Sequence, residues 1–218
     1  MFATTPDSVE AALRCAGLAA CLLLTLPAAA GADAAGTAAE RLSAAALART
    51  EVHVTYDPAY VRLAYPGGDV APDRGVCADV IVRVFRAALG VDLQKLVHED
   101  MAAAFEAYPQ LWGLTRPDRN IDHRRVPNLE TFFRRQGAAL AVSDDAANFR
   151  PGDVVAWNLR GNSGSLPHIG IVTDRVGASG RPLVVHNIGA GPKLEDVLFA
   201  WPITGHYRTA FEPRGHRP

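Results

Sequence analysis

The sequence predicts an α+β domain, with helices in its first part packed on an antiparallel sheet in its last, and three observations lead there. Apolar residues recur at helical spacing through Val76, Val80, Ile81, Val84, Phe85, Ala88 and Leu89. The C-terminal third holds three β-rich runs, "GDVVAWNL", "HIGIVTD" and "PLVVHNI", separated by Gly, Ser and Pro turns. Helices come first and strands afterwards, an order that favours segregated layers over an alternating α/β fold. With 218 residues, 49% of them hydrophobic, the chain is long enough for one domain with a proper core.

The elements follow in chain order. Arg14 precedes the apolar run "CAGLAACLLLTLPAAAGADA", which ends in small residues and reads as a secretory signal peptide over residues 1–32, cleaved near Ala30 to Ala32. The run is too short and too rich in Ala to favour a stable membrane span, and "LAAC" lies early in it for a lipoprotein signal, which leaves an uncleaved anchor and a lipoprotein as the less favoured alternatives. Export places the protein in the periplasm or outside the cell. Residues 33–50 form an Ala-rich helix or linker, residues 51–211 the main domain, and residues 212–218 a disordered tail. Within the domain, "VHVTYDPAYVRLAYPGGD" reads as extended segments broken by Asp57-Pro58 and Pro66-Gly67-Gly68. The helix that follows is capped by Asp73 or Gly75 and stopped by Gly90, which puts Cys77 in its first turn. "HEDMAAAFEAYPQLWG" reads as a helix ending near Pro109, and Asn128 to Gln136 as a short helix with Asn128 as cap. "ITGHYR" is a final strand.

Signal cleavage would remove Cys15 and Cys21 and leave Cys77 as the one cysteine of an exported protein, so no intramolecular disulfide can form. An unpaired thiol in an oxidising compartment is at risk, and either burial or catalysis explains its presence. The first turn of a helix favours negative charge through its unpaired N–H groups and dipole, so a thiolate is expected at Cys77. The same N–H groups can receive the oxyanion formed when sulfur attacks a carbonyl. Such a nucleophile needs a base. His168 and His186 lie on neighbouring predicted strands, with His168 free to face Cys77 and either His186 or Asn187 orienting its ring. Successive strand residues point to opposite faces, so only one of the two can do this, and His186 is preferred.

The formal net charge of -1 gives no basic excess for nucleic acid. Only Lys95 and Lys193 among the 22 basic residues are lysines, which reflects base composition. No HExxH or paired-Cys spacing points to a metal, no cofactor is implied, and nothing requires more than a monomer.

The blocks "GVCADVI", "RPGDVVAW", "HIGIVTD" and "HNI" resemble the NlpC-type branch of the papain-like cysteine peptidases. In that branch a helix-initial Cys, a Gly-Asp strand, a His at a strand start and a polar residue on the next strand follow in this order. A closer resemblance, from about Val52 to Arg208, is to an exported bacterial family called domain of unknown function 1287. It rests on "YDPAYVRLAYPGGDV", "GVCADVI", "LVHEDM", "NIDHRRVPNL", "PGDVVAW", "HIGIV", "VVHNIG" and "ITGHYR". The resemblance implies a papain-like, NlpC-type fold and a cysteine hydrolase, an amidase or endopeptidase, with Cys77, His168 and His186 as its catalytic set. By analogy and export, its partner is peptidoglycan or a peptide-like substrate, cut at an amide bond of the stem peptides. An acyltransferase using the same thioester and a catalytically silent wall-binding module remain open alternatives.

Other residues have secondary places. Asp79 departs from the small residues usual after the Cys; it either favours the helix start or raises the thiol pKa. Asn187 and His206 are further catalytic candidates. Asp122, His123, Arg124 and Arg125 gather in one loop, where the arginines either receive substrate carboxylates or pair internally. Trp157 is a candidate groove wall.

Overall fold

The computed structural model describes residues 36–212. The signal peptide with Cys15 and Cys21, and all but the first residue of the expected tail, lie outside the described residues. Helix α1 (Ala38–Arg49) begins where Thr37 Oγ1 accepts from the Glu40 N–H at 3.2 Å while Glu40 Oε2 accepts from the Thr37 N–H at 2.8 Å. This reciprocal pair satisfies two otherwise orphaned donors. Leu42 and Ala46 turn inward, and the Arg41 guanidinium donates to the Ala88 carbonyl at 2.8 Å, closing the far end of the next helix.

The segment after α1 keeps only two short strands, β1 (Thr55–Tyr56) and β2 (Arg74–Gly75), which pair in parallel. Helix α2 (Cys77–Leu89) is the central helix, apolar on most of its circumference and ended by Gly90 at φ 66°. Its N-cap is Val76, not Asp73 or Gly75: with no capping side chain there, the carboxylate of Asp79 reaches back to the Val76 N–H at 2.7 Å. Helix α3 (Leu93–Ala103) stops earlier than its apolar pattern suggests, and Phe105–Ala107 continues as a single 3-10 turn. Helix α4 (Val126–Arg135) starts ahead of Asn128, with Pro127 in its first turn. Asn128 is therefore inside the helix, buried, with its amide on the Asp122 carbonyl at 3.2 Å.

Six strands form the main sheet: β3 (Ala139–Leu140), β4 (Val154–Asn158), β5 (Pro167–Val176), β6 (Pro182–Asn187), β7 (Pro192–Glu195) and β8 (Ile203–Tyr207). Their order is β3-β8-β4-β5-β6-β7 and all pairings are antiparallel. The expected meander is β4 to β6, extended at its edge by the unforeseen β7, with β8 returning beside β4. One face, carrying Val154, Ala156, Ile169, Ile171 and Val185, packs on the helices in the main core. The other face carries Val155, Trp157, Val172 and Val184 under Phe149 and Leu198. The mixed helix and sheet architecture is the α+β class read from the sequence. No helix among the described residues is long and apolar enough to cross a membrane.

Candidate active site

Cys77 is the first residue of α2 and is buried, with 4% of its surface exposed. The backbone N–H groups of Ile169 and Ala78 and the hydroxyl of Tyr56 lie near enough to its sulfur to favour the charged form. Burial nevertheless dominates: it pushes the thiol up to about 11, against those three donors and with the Asp79 charge adding to the rise. The thiolate expected from the helix start is therefore not the resting state; desolvation outweighs the helix dipole here. Tyr56 is pushed up to about 12, first by burial and then by Cys77, and stays a hydroxyl donor.

His168 lies one residue before Ile169, opposite Trp157 on β4, and strand alternation puts it on the sheet face away from the helices. Its ring stacks on Trp157 at 5.8 Å, and its Nε2 is 2.8 Å from His186 Nδ1. His186 sits opposite Gly170 on β6. This close approach needs the glycine: a Cβ there would lie 2.8 Å from Val184 Cγ1, 2.9 Å from the Val185 oxygen and 3.1 Å from His186 Cβ. The ring of Trp201 meets both imidazoles edge-on, at 6.2 and 6.1 Å. Burial, then His186, lowers His168 to about 3, and burial lowers His186 too, so both rings are neutral near pH 7. The structure thus pairs His168 with His186, as expected, and brings Cys77 to the backbone of the same strand. No hydrogen bond joins Cys77 to His168; the ring's bond runs to His186.

Asn187 faces the other way and donates to the Gly75 carbonyl at 3.4 Å, bracing the residues before Cys77; it does not orient His168. Asp79 is not a catalytic group either. It forms a buried two-pronged pair with Arg124, at 2.8 Å and 3.0 Å, while Arg124 also donates to the carbonyls of Ala59 and Asp57. That geometry consumes Arg124, so it does not receive substrate. His123 is buried and lowered to about 4, chiefly by desolvation, and Asp122 is buried and raised to about 6 by the same cause. Asp122 accepts from the Asp118 N–H and from Arg125 at 3.2 Å. These two residues hold the loop and do not line the groove.

Arg125 is different. Its guanidinium lies over the Trp112 ring at 4.0 Å, and both line a groove of about 340 Å³ that also contains Cys77, Tyr56, Leu111 and Pro167. Leu111 and Trp112 are exposed. Trp157 does not line this groove: it is fully buried, with its indole N–H on the Leu198 carbonyl at 2.9 Å. His206 belongs to another cluster, 2.7 Å from Asp153 and stacked on Phe149 at 4.2 Å, with Arg208 closing on the same carboxylate.

Two residues of the site had no signal in the sequence. Tyr56 lies in a two-residue strand too short for periodicity, and Glu195, 2.9 Å from His186 Nε2, ends a strand hidden in the charged run "GPKLED".

Comparison with known proteins adds kinship. Residues 43–209 match the family model described as "Domain of unknown function (DUF1287)". A relative from Escherichia coli (strain K12), "Uncharacterized protein YijF", is 58% identical over 153 residues, covering 70% of this chain and 73% of its own. No solved structure matches. A family match over most of the domain, with a relative this similar, means that the chain belongs to the DUF1287 family.

Proposed function

We propose that the protein is an exported cysteine hydrolase of NlpC-type, papain-like fold that cleaves amide bonds in peptide-like substrates, the stem peptides of peptidoglycan foremost. One observation carries this reading: a helix-initial Cys77 shares a core with Ile169, the residue directly after a histidine that is hydrogen-bonded to a second histidine. In the proposed reaction the neutral thiol attacks the amide carbonyl as its proton passes to His168 Nδ1, the ring nitrogen not engaged by His186. The first-turn N–H groups of α2 receive the developing oxyanion. His168 then protonates the leaving amine, and water releases the acyl group from Cys77. Because His168 stands on the sheet face away from α2, the proposed transfer runs from Cys77 to His168 Nδ1 through a water at the start of β5, brought into line when substrate binds. Trp112 and Leu111 offer an apolar wall to a peptide, and Arg125 offers it a cation.

The buried, protonated thiol also favours a second reading, a wall-binding module that does no chemistry. Incubation with purified sacculi, followed by mass spectrometry of the soluble products, separates the two. The hydrolase reading expects fragments with newly freed amines from the wild type and none from Cys77→Ala. Binding of both proteins to sacculi with no fragments from either, or the same fragments from both, overturns it.

A further inference from the structure

The bond between His168 and His186 has two possible polarities, and the hydrolase mechanism works with only one. If His168 Nε2 carries the proton and donates, its Nδ1 is a bare lone pair that can take a proton from a thiol. If His186 Nδ1 carries the proton, His168 Nε2 is the acceptor and its Nδ1 is already protonated. The choice between these neutral forms is made by whatever faces the remaining nitrogen, His186 Nε2.

That nitrogen faces a carboxylate. Strand β7 pairs with β6 so that Val184 is opposite Glu195 and His186 opposite Lys193. Glu195 is thus the diagonal neighbour of His186 on the same sheet face, within reach of a long side chain. Its Oε2 lies 2.9 Å from His186 Nε2, off the line of the ring N–H, which makes this a close charge contact and not an aligned hydrogen bond. A bare imidazole nitrogen at that distance would oppose its lone pair to those of the carboxylate, so the proton belongs on Nε2. Among the charged groups around the ring, burial and Lys193 disfavour a second proton while Glu195 favours one, and the net shift is downward, which keeps the ring neutral. His168, the other titratable group in contact, is neutral as well.

We infer that Glu195 is a positioning residue for the histidine pair: by holding a proton on His186 Nε2 it makes His186 Nδ1 an acceptor, which places the His168 proton on Nε2 and leaves His168 Nδ1 bare. The consequence for catalysis rests on the hydrolase reading; the tautomer assignment does not. Glu195 acts through two rings and does not touch the reacting atoms.

The test reads tautomers directly, from long-range proton–nitrogen NMR spectra of the full chain labelled with ¹⁵N-histidine, near pH 7. Wild type is expected to show both His168 and His186 neutral and protonated at Nε2. In Glu195→Gln the carboxamide can donate to His186 Nε2, so the ring turns over to its Nδ1–H form and His168 follows. The ratio of tautomers is expected to change about tenfold, the scale of a carboxylate charge removed from beside a buried imidazole. Glu195→Ala, which removes the anion without adding a donor, moves both rings toward a mixture. The Glu195 side chain is 38% exposed, so neither change threatens the core. A wild type protonated at His186 Nδ1, or tautomers unchanged in both variants, overturns the inference whether or not the protein cleaves anything. A switch of tautomers in a protein that releases no fragments upholds the control by Glu195 and removes the hydrolase.

Discussion

Asp79 shows how one side chain can touch a helix start, a loop and a buried thiol at once. Its carboxylate caps α2 at Val76, grips Arg124 and sits close enough to raise the Cys77 thiol. Both members of the pair are almost fully buried, with side-chain exposures of 3% and 2%. Breaking such a pair from one side strands a buried charge, which costs about 3–5 kcal/mol. Asp79→Ala and Arg124→Ala are each expected to lower the urea midpoint by an amount in that range, while Asp79→Leu with Arg124→Met recovers a large part of it. Equal losses in the single and double variants would mean that the ion pair itself holds the loop. At this scale the sequence was informative about residue types and poor about assignments. Asp79 and Arg124 are 45 positions apart, and no local pattern announces that they meet. The adjacent Arg125, indistinguishable from Arg124 in the sequence, lies over Trp112 beside the groove instead. Trp157 was legible as an aromatic on a strand, but which face it occupies depends on a second apolar layer built from Phe149 and Leu198.

Among the elements, β5 and β6 carry the histidine pair, and at Gly170 their packing leaves no room for a side chain. Strand alternation in "HIGIVTD" and "PLVVHNI" made both strands and the pairing of His168 with His186 readable. The helix of Cys77 was readable too, through its apolar spacing and Gly90. Its cap was not, because Val76 offers no side-chain acceptor and the capping group comes from inside the helix. Strand β7 escaped because a four-residue edge strand that reads Pro-Lys-Leu-Glu has too few positions for a period to show. A methyl at Gly170 would press on Val184 and on the backbone of Val185 and so push β6 away from β5. Gly170→Ala is therefore expected to destabilise the protein by about 1–3 kcal/mol in chemical unfolding and to separate His168 from His186. Retention of the histidine tautomers and of full stability in that variant would show that the strands can part without cost.

Over the whole molecule, the buried histidines make the fold sensitive to acid. His168 is lowered to about 3 and His123 to about 4, each first by desolvation, so the unfolded chain binds protons that the native state refuses. Their contribution is fully present above the ordinary imidazole value near 6.5 and is lost as pH falls through the folded values. Asp122 works in the opposite sense: raised to about 6 by burial, its contribution is present below the ordinary carboxylate range and is lost as pH rises through 6. His186 is lowered as well, so the histidines outweigh Asp122 and the urea midpoint is expected to fall steadily between pH 7 and pH 4. A midpoint that is flat or rising over that interval would contradict the burial of these rings. The central claim also spans the molecule, because Cys77 comes from the helical layer and His168 from the sheet. It is tested most directly by the rate at which a peptide-like alkylating reagent that fills the groove modifies Cys77 near pH 7, in wild type and in His168→Ala. The account predicts slow reaction in His168→Ala, accelerating only toward pH 11, with wild type at least about a hundredfold faster near pH 7 because His168 takes the proton as sulfur attacks. Equal rates in the two proteins would contradict it and leave Cys77 as a buried structural thiol.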